Sequence, residues 1–181
     1  MNGEISQSVR ASAAKVRVLV LDVDGVLTDG SLYLGDNGVE YKAFYSRDGH
    51  GMKLLMASGV QIAVITGRRS RVVAERMAAL GVTHVYQGDD RKGPVFDALL
   101  KALGLTAVEA AYVGDDLVDL PVMTRCGLPI AVADADPRVA QLAQFSTRCA
   151  GGRGAVREVC ELILDAQGNL QAALAPWLAA P

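Results

Sequence analysis

Apolar residues recur along this chain in short runs, and the segments between the runs carry helical patterns. Val16–Leu21, Val60–Ile65, Val82–Tyr86, Ala110–Val113 and Leu128–Val132 read as strands. Gly51–Ala57, Ser70–Leu80, Pro94–Leu103 and Asp119–Cys126 read as the helices between them, and Pro137–Gln144 and Gly154–Asp165 as later ones. Ser70 is placed to cap a helix N-terminus, and Pro94 suits a first helical turn. Thr106 to Glu109 matches a capping box, but it runs into a strand, so no helix is expected there. Alternating β and α units predict a central parallel sheet with helices on both faces. Ligands of such a sheet sit beyond the carboxyl ends of its strands.

One segment departs from the alternation. Residues 31–44 read as a β-hairpin, with Gly35-Asp36-Asn37-Gly38 as the turn. Its apolar positions cover either the hairpin's own core or a partner, and the lack of charge between Leu32 and Leu34 favours a partner. The remaining organisation is a single domain over 1–181, with an N-terminal extension (1–15) and a tail (167–181) expected to be mobile or docked on a partner.

Composition narrows the classes of function. A net charge of -2 and dispersed basic residues give no footprint for nucleic acid or a membrane surface. No apolar run approaches a membrane span, and 1–15 has no signal-peptide core. Cys126, Cys149 and Cys160 are odd in number and lack C-x-x-C spacing, which suits reduced thiols in a cytoplasmic protein. His50 and His84 are too scattered for a zinc site.

The candidate chemistry gathers where strands end. Asp22 and Asp24 follow the first strand, and if Val23 stays extended they point the same way. Adjacent carboxylates repel each other, and a hard cation such as Mg2+ offsets that cost. Thr66-Gly67-Arg68-Arg69-Ser70 follows the second strand as an anion cradle at a helix start. Lys92 follows the third and can place a point charge on a phosphate oxygen. Asp115, Asp116 and Asp119 follow the fourth and can complete a Mg2+ site. Each element alone is ordinary; their order at successive strand ends is not.

These elements make the chain resemble the haloacid-dehalogenase-like (HAD) phosphotransferase superfamily, over about Val16 to Asp165. The resemblance implies a three-layer Rossmann-like fold with a small hairpin insertion and no large cap domain. It implies Asp22 as nucleophile, Asp24 as general acid and base, and Thr66 and Lys92 as holders of the transferring phosphoryl group. It also implies a Mg2+ site from Asp22, Asp115 and the main-chain carbonyl of Asp24, with Asp116 and Asp119 as auxiliary carboxylates.

More narrowly, residues 22–30, 44–49, 64–70, 114–121 and 151–158 resemble the 3-deoxy-D-manno-octulosonate 8-phosphate (KDO 8-phosphate) phosphatase family. That resemblance implies an acidic sugar-phosphate substrate and a homotetramer built through the hairpins. It implies substrate contacts from Asp24, Tyr45, Ser46, Arg47, Asp48, Gly49, Lys53, Arg68, Arg76 and Lys92. Arg47, Arg68 and Arg76 have the alternative reading of solvated helix-end charges, though a cationic cluster fits an acidic sugar phosphate, and Gly151-Gly152-Arg153-Gly154 reads as either a phosphate loop or a helix entry. Another acidic sugar phosphate, of the sialic-acid 9-phosphate type, and a non-catalytic oligomerisation module are the alternative functions.

Overall fold

The computed structural model describes residues 5–178; the first four residues of the N-terminal extension and the last three of the tail lie outside the described residues. The strands are β1 (Val18–Leu21), β2 (Tyr33–Leu34), β3 (Glu40–Tyr41), β4 (Gln61–Thr66), β5 (His84–Gln87), β6 (Ala110–Gly114), β7 (Leu128–Ala131) and β8 (Phe145–Ser146). The helices are α1 (Gln7–Ala13), α2 (Ser46–Ala57), α3 (Arg71–Leu80), α4 (Lys92–Leu103), α5 (Leu120–Met123), α6 (Pro137–Leu142), α7 (Ala155–Ala166) and α8 (Leu170–Leu178). Six strands form one parallel sheet in the order β5-β4-β1-β6-β7-β8.

The sheet is buried on both faces, and period-2 alternation within β1 divides its side chains between two cores. Leu19 and Leu21 join a cluster with Met52, Leu55, Met77, Val159 and Ile163 from α2, α3 and α7. Val18 and Val20 join the other, with Phe96, Leu99, Met123 and Val139 from α4, α5 and α6. This is the expected three-layer arrangement. The chain leaves β1 toward β4 on one side and returns to β6 on the other. The end of β1 is therefore the topological switch point, where an open α/β sheet has its crevice.

Several elements differ from the sequence expectation. Helix α2 starts at Ser46, a turn earlier than expected, so Arg47, Asp48 and Gly49 lie on a helix. The Thr106–Glu109 capping box does form: the Thr106 N–H and hydroxyl donate to Glu109 at 2.9 and 2.8 Å around a single 3-10 turn. One turn fits between α4 and β6 where a helix would not. Helix α5 is only Leu120–Met123, because Leu117–Asp119 forms a 3-10 turn first. Part of the N-terminal extension folds as α1, burying Val9 and Ala13. The described part of the tail is also helical: α8 lays Leu170, Ala173 and Leu174 against the core, and Trp177 meets His50 edge-on at 5.0 Å between ring centroids.

The hairpin stands apart from the sheet, with Tyr33 opposite Tyr41 and Leu34 opposite Glu40. Its apolar residues do not cover a core of their own. Leu34 is 69% exposed and Tyr41 64%, and Leu32, Tyr33 and Val39 are exposed beside them.

Candidate active site

The loop after β1 is set by its backbone. The Val23 carbonyl accepts the N–H groups of Val26, Leu27 and Thr28 at 3.3, 2.9 and 3.0 Å, together with the Thr28 hydroxyl at 3.3 Å. The strand ends at Leu21 and the chain bends at Val23 before the turn over residues 24–27. The condition of extended backbone on which strand periodicity would place Asp22 and Asp24 is therefore not met. Asp22 faces Lys92 at 2.8 Å, whereas Asp24 turns to Lys42 and Arg68.

Lys92, at the first position of α4, is buried with its ammonium 2.8 Å from Asp22 and 2.8 Å from Asp119. Burial alone would lower its pKa, but the charges of Asp22 and Asp119 outweigh burial and hold it above the ordinary lysine value. Asp119 is fully buried and accepts four donors. Oδ1 takes Lys92 at 2.8 Å and the Tyr112 hydroxyl at 2.6 Å. Oδ2 takes the N–H groups of Asp115 and Asp116 at 2.9 and 3.3 Å. Asp119 thus ties the β6 loop to the lysine of α4.

Asp22, Asp115 and Asp119 bring one carboxylate oxygen each within 4.8 Å of one another. The third carboxylate is that of Asp119, whose oxygens already serve protein donors. Asp115 differs: its Oδ1 is buried without a hydrogen-bond partner among the described residues. Burial first, then the charges of Asp119, Asp22 and Asp116, push Asp115 up to about 8. Burial pushes Asp22 up to about 6 against the pull of Lys92. An orphaned hard oxygen among like charges is the donor set a Mg2+-like cation satisfies. The approach is close: Gly25 has φ +93°, and a Cβ there would lie 2.0 Å from Asp115 Oδ2.

Thr66 is buried at the end of β4. Ser70 caps α3 as expected, accepting the Val73 N–H at 3.3 Å, and its own N–H donates to Gln87 at 2.7 Å. The structure also adds two charged residues that sequence reasoning missed, Glu40 and Lys42 on the second hairpin strand and just after it. Lys42 contacts Asp24 and lies 3.5 Å from Glu40, whose other oxygen accepts the Ser70 hydroxyl. Arg68 completes the group, 3.7 Å from Asp24 and 3.6 Å from Glu40. The only sequence signal was two charges, two positions apart, in a second hairpin arm (39–44) otherwise apolar.

The expected substrate contacts are divided. Tyr45 precedes α2, and Arg47 sits 5.9 Å over its ring. Ser46 opens the helix and Lys53 is exposed further along it. Arg76 lies 6.0 Å from the Phe44 ring, with its Nε buried and without a hydrogen-bond partner among the described residues. Gly49 leaves room for that guanidinium, because a Cβ would meet Arg76 Nη2 at 2.4 Å. Asp48 is buried, and its oxygens accept the N–H groups of Gly154 at 3.3 Å and Arg157 at 2.8 Å. It holds the start of α7. The phosphate-loop reading of 151–154 is corrected. The N–H groups of Gly151, Gly152, Arg153 and Gly154 donate to Asp134, Val26, Ala150 and Asp48.

The comparisons with known proteins agree with this geometry. The haloacid dehalogenase-like hydrolase profile matches residues 80–158. The chain is 52% identical over 171 residues to the 3-deoxy-D-manno-octulosonate 8-phosphate phosphatase of Escherichia coli K12, covering 94% of this chain and 91% of that one. The crystal structure of the phosphatase of that name from Yersinia pestis superposes with a TM-score of 0.90 at 48% identity, over 91% of this chain and 89% of that one. The Moraxella catarrhalis phosphatase, in complex with a magnesium ion, a phosphate ion and KDO, superposes with a TM-score of 0.92 at 41% identity, over 93% and 97% of the two chains.

Proposed function

The chain belongs to the KDO 8-phosphate phosphatases of the haloacid dehalogenase-like hydrolases, and we propose that it removes phosphate from KDO 8-phosphate in lipopolysaccharide sugar synthesis. It is a phosphoric monoester hydrolase that uses Mg2+. The observation that carries the reading is the setting of Asp22, with a fixed ammonium on one side and the orphaned Asp115 oxygen on the other.

The division of labour follows from the contacts. Asp22 is the carboxylate at the end of β1 held by Lys92, which suits a nucleophile on phosphorus. Its bond to phosphorus forms as the bond from phosphorus to the sugar oxygen breaks, leaving an aspartyl-phosphate. Asp24 gives its proton to that sugar oxygen, then takes one from the water that cleaves the aspartyl-phosphate. Lys92 and Thr66 stabilise and orient the phosphoryl oxygens. Asp22 and Asp115 would hold Mg2+, with the main-chain carbonyl of Asp24. Bound there, the ion supplies positive charge against the phosphoryl group. Asp119 positions Lys92, and Asp116 lies at the rim.

Arg68 and Arg76, with Tyr45, Ser46, Arg47 and Lys53, form the side from which an anionic sugar is met, since guanidinium suits carboxylate. No large cap covers this side, and the exposed hairpin supports a homotetramer that closes it with neighbouring copies. No helix among the described residues is long and apolar enough to cross a membrane, and we place the enzyme in the cytoplasm. The test is phosphate release with Mg2+ from KDO 8-phosphate against a sialic-acid-type 9-phosphate and simple sugar phosphates. The reading expects the highest kcat/KM for KDO 8-phosphate. Preference for another sugar, or no turnover on any, would reject it.

A further inference from the structure

Lys42 has an unusual setting for a lysine on an exposed hairpin. Its side chain is 1% exposed, although Tyr41 beside it is 64% exposed. Buried lysines persist when paired, and this one has two carboxylates, Asp24 and Glu40. Glu40 is in turn fixed by the Ser70 hydroxyl at the start of α3, so the pair is anchored to the sheet as well as to the hairpin. Arg68 bridges the same two carboxylates, yet at 3.6–3.7 Å and with its side chain 48% exposed.

The two cations therefore differ in freedom. Arg68 is loosely held and can turn toward an anionic substrate. When it does, Asp24 and Glu40 lose one of the two cations they share. Lys42 is the charge that remains between them. A buried ammonium on Asp24 also fixes that carboxyl in one rotamer, and a proton donor must be held within hydrogen-bond reach of the oxygen it serves. We propose that Lys42 is a positioning residue for Asp24: it holds the acid in place while Arg68 is released to the substrate, making the hairpin part of the catalytic apparatus. The role rests on the phosphatase reading above, in which the proton of Asp24 passes to the sugar oxygen as the phosphorus–oxygen bond breaks.

The experiment compares wild type, Lys42→Met and Lys42→Arg on KDO 8-phosphate and on p-nitrophenyl phosphate, whose phenolate leaves without a proton. Melting temperature and circular dichroism are read alongside. Loss of positioned acid should lower kcat of Lys42→Met on the sugar phosphate by about 100-fold or more. Its KM should stay within about threefold, and the rate of its p-nitrophenolate burst, which precedes the water step that Asp24 also serves, should fall by less than about fivefold. Lys42→Arg should recover part of the loss.

A p-nitrophenolate burst slowed as much as turnover of the sugar phosphate would make Lys42 merely structural. A rise in KM alone would make it a substrate contact. Either result overturns the proposal. Should Lys42→Met not fold, Lys42→Gln is read in the same way, and failure of both to fold also overturns it. A wild-type chain inert toward KDO 8-phosphate would sink the functional reading itself. Cleavage by wild type and by Lys42→Met alike would sink only the role of Lys42.

Discussion

Asp119→Asn tests the internal frame of the site, because every partner of this side chain is a donor. Lys92 and the Tyr112 hydroxyl meet one oxygen, and the Asp115 and Asp116 N–H groups meet the other. An amide offers one oxygen and one NH2, so half of the partners must face a donor. The less costly orientation keeps the amide oxygen on the two backbone groups. Tyr112 can then turn its hydroxyl to accept, but the Lys92 ammonium cannot. Lys92 is left with Asp22 alone, at 2.8 Å. Breaking a buried charge pair from one side costs about 3–5 kcal/mol. For a chain of 181 residues each kcal/mol lowers Tm by about 2–4 °C, so the expected drop is about 6–20 °C. Lys92 also loses its second anchor, and a misplacement near 1 Å costs roughly 100-fold in rate. Calorimetry and phosphate release on the same preparation supply both readings. A Tm within about 2 °C of wild type would fall below even a single kcal/mol and refute the account of Asp119 as the hub.

Gly25→Ala should leave the fold intact but abolish tight Mg2+ binding and turnover, because the added methyl needs both a left-handed backbone and the space of the Asp115 carboxylate; unchanged affinity by calorimetric titration would refute this. Asp22→Asn should fold and bind substrate without detectable turnover, and near-normal phosphate release would remove Asp22 from its role. Asp22 and Asp115 have folded-state pKa values raised to about 6 and about 8, so metal-free protein holds protons there that the unfolded chain has already released. Its stability should accordingly fall as pH rises from about 4 to 8, and Mg2+ should restore more at pH 8 than at pH 6; a flat Tm profile in EDTA would contradict the shifts. Replacing the exposed Leu34 and Tyr41 by lysine should convert the assembly to smaller species in light scattering, and a wild-type chain that is monomeric at micromolar concentration would exclude the proposed tetramer.

The sequence by itself determined the layer architecture and the location of the chemistry. Apolar runs such as Val16–Leu21 and Val60–Ile65 can be accommodated only in a sheet buried on both faces, and strand-end motifs in a parallel sheet converge because all the strands point the same way. Local rules also held where one short-range interaction dominates, as at the Ser70 cap. Tertiary structure decided which way each side chain faces and what occupies it. The turn at Val23 sends Asp22 to Lys92 and Asp24 to Lys42, a parting that strand periodicity could not foresee. Asp48 belongs to the start of α7 more than a hundred positions away. Asp119, in a cluster that reads as auxiliary, is the best-connected carboxylate of the site. Glu40 and Lys42 look like solvated hairpin charges until the fold buries one of them against Asp24. Periodicity and capping act over a few residues, within reach of a sequence pattern. Charge pairing and burial act between segments that only the folded chain brings together.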